Sequence, residues 1–279
     1  MIKDIVVHLD GSAEDEFRLA QAEALAAIDG ARLTGLYTNV LPDIAAMATP
    51  DAAAAAAAAF TEIEDAAKAQ GETTAARLLE RLKRSGLTVE LARYDLRLGE
   101  LGRAAASAAR AADLFIATAP YRGGSGINWD GLAEEVLSDS GRGTLFVPPG
   151  AAPRAAIQRI LVAWRDTHDA ARAVAEALPF VARATRVDLV MVDADPDGSG
   201  APAAAMARYL THHGGKVDVK SLASEGKTVA QALLEETAKG AIDLLVMGGY
   251  GHSRLREWVL GGTTRDILSA TTIPVLMAH

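Results

Sequence analysis

Gly248-Gly249-Tyr250-Gly251-His252-Ser253-Arg254-Leu255-Arg256-Glu257-Trp258-Val259-Leu260-Gly261-Gly262-Thr263-Thr264 follows an apolar run and precedes a segment with helical character. The run before it, Asp243-Leu244-Leu245-Val246-Met247, reads as a strand buried on both faces, as in a parallel sheet covered by helices. Glycine directly after such a strand lets backbone N–H groups approach an anion. A second glycine cluster opens the next helix. The nine residues between them, His252 to Leu260, make about two helical turns, enough to bring Gly251 and Gly261 to one side of a ligand. The spacing predicts a two-sided phosphate cradle.

Glycine at a strand-to-helix turn has a second explanation, since the turn itself often needs its φ/ψ freedom. The second cluster weighs against that explanation. Gly248, Gly251 and Gly261 fall in the order Gly-x2-Gly-x9-Gly-(Ser/Thr), which resembles the signature of the universal stress protein family. In that family the glycines and the hydroxyl hold the phosphates and ribose of ATP. One position departs: Gly262 stands where the hydroxyl residue is expected, and Thr263 comes one residue late.

Outward from this stretch, the chain repeats itself. At 279 residues it fits two domains of about 140. Ile5-Val6-Val7-His8-Leu9-Asp10-Gly11-Ser12 is echoed by Ile160-Leu161-Val162-Ala163-Trp164-Arg165-Asp166-Thr167, and Asp113-Leu114-Phe115-Ile116 by Asp243-Leu244-Leu245-Val246. Thr144-Leu145-Phe146-Val147-Pro148 likewise matches Val275-Leu276-Met277-Ala278-His279. The offset is 155 between Ile5 and Ile160 but 130 between Asp113 and Asp243, so the first copy carries about two dozen extra residues. Ala45 to Gln70 is their expected place. Its alanine run, Ala52 to Ala59, follows Thr49-Pro50-Asp51, where Asp51 is a candidate cap. It reads as a long helix packed on the domain, with a mobile lid as the other reading. Pro148-Pro149-Gly150-Ala151-Ala152-Pro153 interrupts both periodicities and serves as a linker, dividing the chain into domains 1–150 and 154–279.

Each copy alternates strands and helices, which predicts α/β architecture: two tandem, doubly wound parallel sheets with helices on both faces. Ligands of such sheets bind beyond the carboxyl ends of the strands, where Asp10, Arg165, Val192, Asp193 and the Gly248 loop converge. The resemblance then covers essentially the whole chain, as a tandem universal stress protein. It implies a Rossmann-like fold of the adenine nucleotide alpha hydrolase-like kind, and ATP as cofactor, with or without Mg2+.

The two copies differ in what they keep. Family members carry an Asp after the first strand near the adenine or ribose, and Asp10-Gly11-Ser12 matches it in the first copy. That copy has Ala119-Pro120-Tyr121-Arg122-Gly123-Gly124-Ser125-Gly126 where the phosphate loop belongs, so its loop is degenerate. The second copy keeps the loop and has Arg165 in place of the Asp. Arg165 either meets a phosphate or base, or fills the adenine pocket and blocks it. The nucleotide-binding set is therefore Gly248, Gly251, His252, Ser253, Arg254, Gly261, Gly262, Thr263, Arg165 and Val192. His252, Ser253 and Arg254 start a helix after Gly251, where side chains reach a phosphate alongside the helix dipole; Ser253 as a simple cap is the alternative. Arg265 and Asp266, one turn beyond the second cluster, form a candidate bracing ion pair.

Other polar residues read as structural. His8, inside an apolar strand, is a core or edge histidine; His212-His213 ends a helix; Glu134-Glu135 and Glu235-Glu236 fall on solvated helix faces. No residues are spaced to hold a metal, and no catalytic triad, nucleophile elbow or Walker lysine is visible. Slow ATP hydrolysis is the most enzymatic expectation, and no catalytic residue is assigned.

Cysteine is absent, no apolar stretch spans a membrane, and Met1-Ile2-Lys3-Asp4 runs straight into a strand, so a cytoplasmic protein is expected. A net charge of −8 opposes binding to nucleic acid. Two functions fit: a nucleotide-binding stress or signalling module, favoured by the glycine spacing, and a nucleotide-free scaffold acting through protein contacts. The resemblance also implies pairing of last strands, here Thr144 to Val147 with Val275 to Met277, giving an intrachain pseudo-dimer, alone or within a homodimer. Such pairing covers an apolar edge.

Overall fold

A computed structural model describes residues 1–43, 53–121, 127, 129–193, 201–249 and 262–279, for 53–58 the backbone alone. In the first half, strands β1 (Asp4–Leu9), β2 (Arg32–Val40), β3 (Val89–Leu96), β4 (Leu114–Thr118) and β5 (Thr144–Val147) alternate with helices α1 (Asp15–Asp29), α2 (Ala53–Lys83), α3 (Leu98–Ala109) and α4 (Asp130–Asp139). The second half repeats the order with β6 (Arg159–Ala163), α5 (His168–Val181), β7 (Arg186–Val192), α6 (Ala201–His212), β8 (Val217–Leu222), α7 (Val229–Lys239), β9 (Leu244–Gly248), α8 (Gly262–Ala270) and β10 (Val275–Ala278). The fold is α/β, doubly wound and Rossmann-like.

The ten strands among the described residues join one sheet in the order β3-β2-β1-β4-β5-β10-β9-β6-β7-β8. Every pairing is parallel except that of β5 with β10, where Val275, Leu276 and Met277 face Phe146, Leu145 and Thr144 antiparallel. The strand order therefore reads the same outward from this central pair on either side. Leu145, Phe146, Val275, Leu276 and Met277 are completely buried there, so their apolar edges are covered by each other.

The inner strands are buried on both faces because helices cover both. Val7, Leu9, Leu33 and Ile116 meet α1 and α2 residues such as Leu19, Leu25, Leu78 and Leu82 in one core. Phe115, Ala117, Phe146 and Met277 meet α3, α4, α7 and α8 in the other. On α1 the buried Leu19, Ala22, Leu25 and Ala26 recur at helical spacing, which fixes the face it presents. Thr228 and Gln231 close the start of α7 as a capping box: the Thr228 hydroxyl accepts from the Gln231 amide, and the Thr228 amide donates to the Gln231 side chain.

The extra length of the first half lies where the offset put it. α2 has 31 residues and its counterpart α6 has 12. The Asn39 side chain, near the end of β2, donates to the Ala67 carbonyl, whereas Leu82 packs lower, beside Gly35. α2 thus runs antiparallel to β2, and its first residues, 53–66, form about 20 Å of helix before that contact at the end of β2. Asp51 and the start of the alanine run lie outside the described residues.

Candidate functional site

In each half the chain leaves the first strand in one direction and returns to the fourth on the other side, so the carboxyl ends of β6 and β9, and of β1 and β4, are topological switch points. In the second half, Ala163 of β6 pairs with Met247 of β9, which sets Gly248 beside the end of β6. Arg165, two residues past Ala163, is exposed and makes no side-chain hydrogen bond or ion pair with any described residue. Val192 ends β7, half-buried, and Asp193 after it turns with φ 48°.

Gly248 and Gly249 are held by packing. A Cβ at Gly248 would lie 2.7 Å from the Ala170 amide nitrogen at the start of α5, and one at Gly249 would lie 2.5 Å from Leu137 Cδ2 on α4. Glycine here lets two helices close on the end of β9, one from each half. Gly262, the first residue of α8, is different: a Cβ there meets nothing within 4 Å among the described residues, which leaves room there for the hydroxyl residue of the family pattern. Thr263 follows it, half-buried. Gly251, His252, Ser253, Arg254 and Gly261 lie outside the described residues.

Arg265 on α8 does not form the bracing pair expected with Asp266 among the described contacts. Its guanidinium instead lies 5.5 Å over the ring of Tyr121, tying the second half to the first. The Tyr121 hydroxyl in turn donates to Glu134, whose carboxyl burial pushes up against that bond. Glu134 and Glu135 are therefore half-buried between elements, not solvated as expected.

Two residues at this edge were missed in sequence. The His279 Nδ1–H lies 3.0 Å from the Gly249 carbonyl and 3.3 Å from Asp169 Oδ1. Both neighbours only accept, so the proton sits on Nδ1, and the imidazole fastens the glycine pair to the first turn of α5. No sequence spacing links positions 169, 249 and 279; the sheet alone brings them together.

The corresponding place in the first half is filled by a buried polar network. Arg18 of α1, 1% exposed, donates to Asp10 at 2.7 Å and to Asp15. Asp15 also accepts the amides of Asp10 and Gly11 at 3.0 and 2.9 Å. Asp10 Oδ1 further accepts the Ser12 amide and hydroxyl, and Asp10 Oδ2 accepts Trp129 Nε1–H at 2.7 Å. Burial works to raise the Asp10 carboxyl, but Arg18 and Ser12 outweigh it and hold Asp10 below the usual carboxylate range. Burial pushes Asp15 up to about 6 against the pull of Arg18.

His8 completes this network and is the satisfied core histidine that its strand context implied. Arg18 Nη1 approaches its Nδ1 at 3.3 Å, and its Nε2 lies 2.8 Å from Thr38 Oγ1. A guanidinium can only donate, so Nδ1 accepts and Nε2 carries the proton. The Thr38 hydroxyl in turn donates to the Leu9 carbonyl. Burial and the Arg18 charge lower the His8 pKa to about 3, so the ring is neutral.

Residues 156–279 match the family described as the universal stress protein family. A universal stress protein of Synechocystis sp. is 41% identical over 69 residues, and the chain spans only 23% of that relative's length. A universal stress protein structure from Archaeoglobus fulgidus DSM 4304 is similar over 99% of this chain and 95% of its own, with a TM-score of 0.71 at 16% identity. A functionally unknown protein from Pseudomonas aeruginosa PAO1 is similar over 99% of this chain and 92% of its own, with a TM-score of 0.60 at 14% identity. At such identities the likeness is one of fold.

Proposed function

We propose, from the match of residues 156–279 to the universal stress protein family, that the second half of the chain binds an adenine nucleotide in a stress-response or signalling role. ATP or ADP lies across the carboxyl ends of β6 and β9, with its phosphates in the loop that begins at Gly248. The observation that carries this is positional: the Gly-x2-Gly-x9-Gly spacing leaves β9 beside β6, at the switch point where doubly wound sheets take ligands. Arg165, exposed at the same edge, supplies a cation for a phosphate, and Val192 lines the approach from β7. With no Walker lysine in the sequence, hydrolysis is slow or absent and binding is the function. We read residues 1–150 and 154–279 as tandem domains sharing one sheet.

The test is to purify the chain without added nucleotide, denature it and identify released small molecules by mass spectrometry, with ATP titrated into the emptied protein. ATP or ADP near one per chain supports the proposal, and Gly251→Asp, which puts bulk and negative charge in the loop, then abolishes binding. The absence of both carry-over and binding at millimolar ATP refutes it. In that event a nucleotide-free scaffold takes its place, a reading favoured by the purely packing reasons for glycine at 248 and 249.

A further inference from the structure

Trp129 stands where a ligand of the first half would stand. The carboxyl ends of β1 and β4 form the first half's switch point, the counterpart of β6 and β9. Asp10 leaves β1 there, and its two oxygens are used differently. Oδ1 serves Arg18 and Ser12, fixed parts of α1 and its entry turn. Oδ2 takes the indole N–H of Trp129, which comes from the entry to α4, 119 residues away. The indole also stands edge-on to His8, with ring centroids 4.7 Å apart and planes at 76°. Trp129 makes no side-chain cap for α4, so the ring is not held there by helix chemistry. It touches the sheet edge as a bound heterocycle would, with a planar ring packed edge-to-face against an aromatic side chain and one N–H on an ionised acceptor.

We propose that Trp129 is an intrachain occupant of a ligand pocket at the β1/β4 switch point, and that it closes the first half to planar heteroaromatic N–H donors by taking their place. Arg18 keeps the acceptor charged, His8 supplies the wall, and the indole fills the gap between them. This inference concerns the first half alone and holds whether or not the second half takes a nucleotide.

The experiment is chemical rescue in the full chain. Trp129→Gly leaves an indole-shaped gap, and indole added to the folded variant is followed by calorimetry. Indole binds the variant one-to-one and the parent chain not at all. 1-Methylindole, which keeps the ring and lacks the donor, binds at least about tenfold more weakly, the loss expected for a hydrogen bond to a charged group. Asp10→Asn in the same background removes most of that difference. A folded Trp129→Gly chain that takes up no indole, equal binding of the two probes, or saturable indole binding by the parent each overturns the proposal. Should the glycine variant not fold alone, refolding is read instead: recovery of native circular dichroism with indole but not 1-methylindole supports the proposal, and recovery with neither overturns it.

Discussion

His8 should make the stability of this chain sensitive to acid in a calculable way. In the unfolded chain its imidazole takes up a proton below 6.5, while in the folded chain it stays neutral down to about 3. The unfolded state therefore binds more protons across this window, and stability falls as pH drops from 6.5 toward 3. The physical cost is plain in the geometry, because a protonated Nδ1 would point a hydrogen at the Arg18 guanidinium 3.3 Å away. Each unit of pKa difference is worth about 1.4 kcal/mol, so His8 costs the fold about 2 kcal/mol between pH 7 and pH 5. Asp15 acts in the opposite sense. Its folded pKa is raised to about 6, so its contribution is full below the unfolded value and is lost as pH rises through 6. Acidification from pH 7 to 5 thus returns about 1 kcal/mol through Asp15 and hides part of the His8 effect. Comparing the parent with His8→Gln separates them, since Gln accepts from Arg18 and donates to Thr38 without titrating. Urea unfolding at pH 7 and pH 5 should show the parent losing about 2 kcal/mol more than the variant. Equal losses in the two chains would refute the assignment of a neutral, Arg18-facing imidazole.

Gly262→Ser should fold normally, because a Cβ there meets nothing within 4 Å among the described residues, and should tighten ATP binding by about two- to tenfold through a restored hydroxyl contact; unchanged affinity in calorimetry would remove position 262 from the site. Gly249→Ala should destabilise the chain by about 1–3 kcal/mol, since the new methyl lies 2.5 Å from Leu137, as measured by urea unfolding. His279→Ala should weaken ATP binding by about two- to tenfold by freeing the Gly249 carbonyl, with His279→Asn restoring part of it; an unaltered dissociation constant would show that the loop is anchored without the imidazole. Arg18→Met should cost about 3–5 kcal/mol by leaving the Asp10 and Asp15 carboxylates without their shared cation, an outcome visible as a lowered thermal midpoint at pH 7.

Much of the fold was legible because its signals are local. The apolar runs at 5–9, 114–116, 160–163 and 244–247 all became strands, and the change of offset from 155 to 130 located the long α2. The pairing of Thr144–Val147 with Val275–Met277 was expected from the family resemblance, and it covers two apolar edges that would otherwise be exposed. The candidate site was legible in part. Glycine spacing marked positions 248, 251, 261 and 262, of which 248 and 262 fall among the described residues. The Asp169–His279 contact carried no signal, since it joins residues 110 positions apart that share no pattern. The same holds for Trp129 on Asp10 and for Arg265 over Tyr121.

The sequence by itself determined the alternation of strands and helices, the internal repeat and the location of the glycine loop, because hydrophobic period and glycine placement act within a few residues. Tertiary structure decided which glycines serve packing, which carboxylates are charged and which aromatic fills the first half's switch point. Those outcomes depend on burial and on donor and acceptor pairs drawn from distant segments. A carboxyl such as Asp10 has no assigned partner until α1 and α4 close over the end of β1.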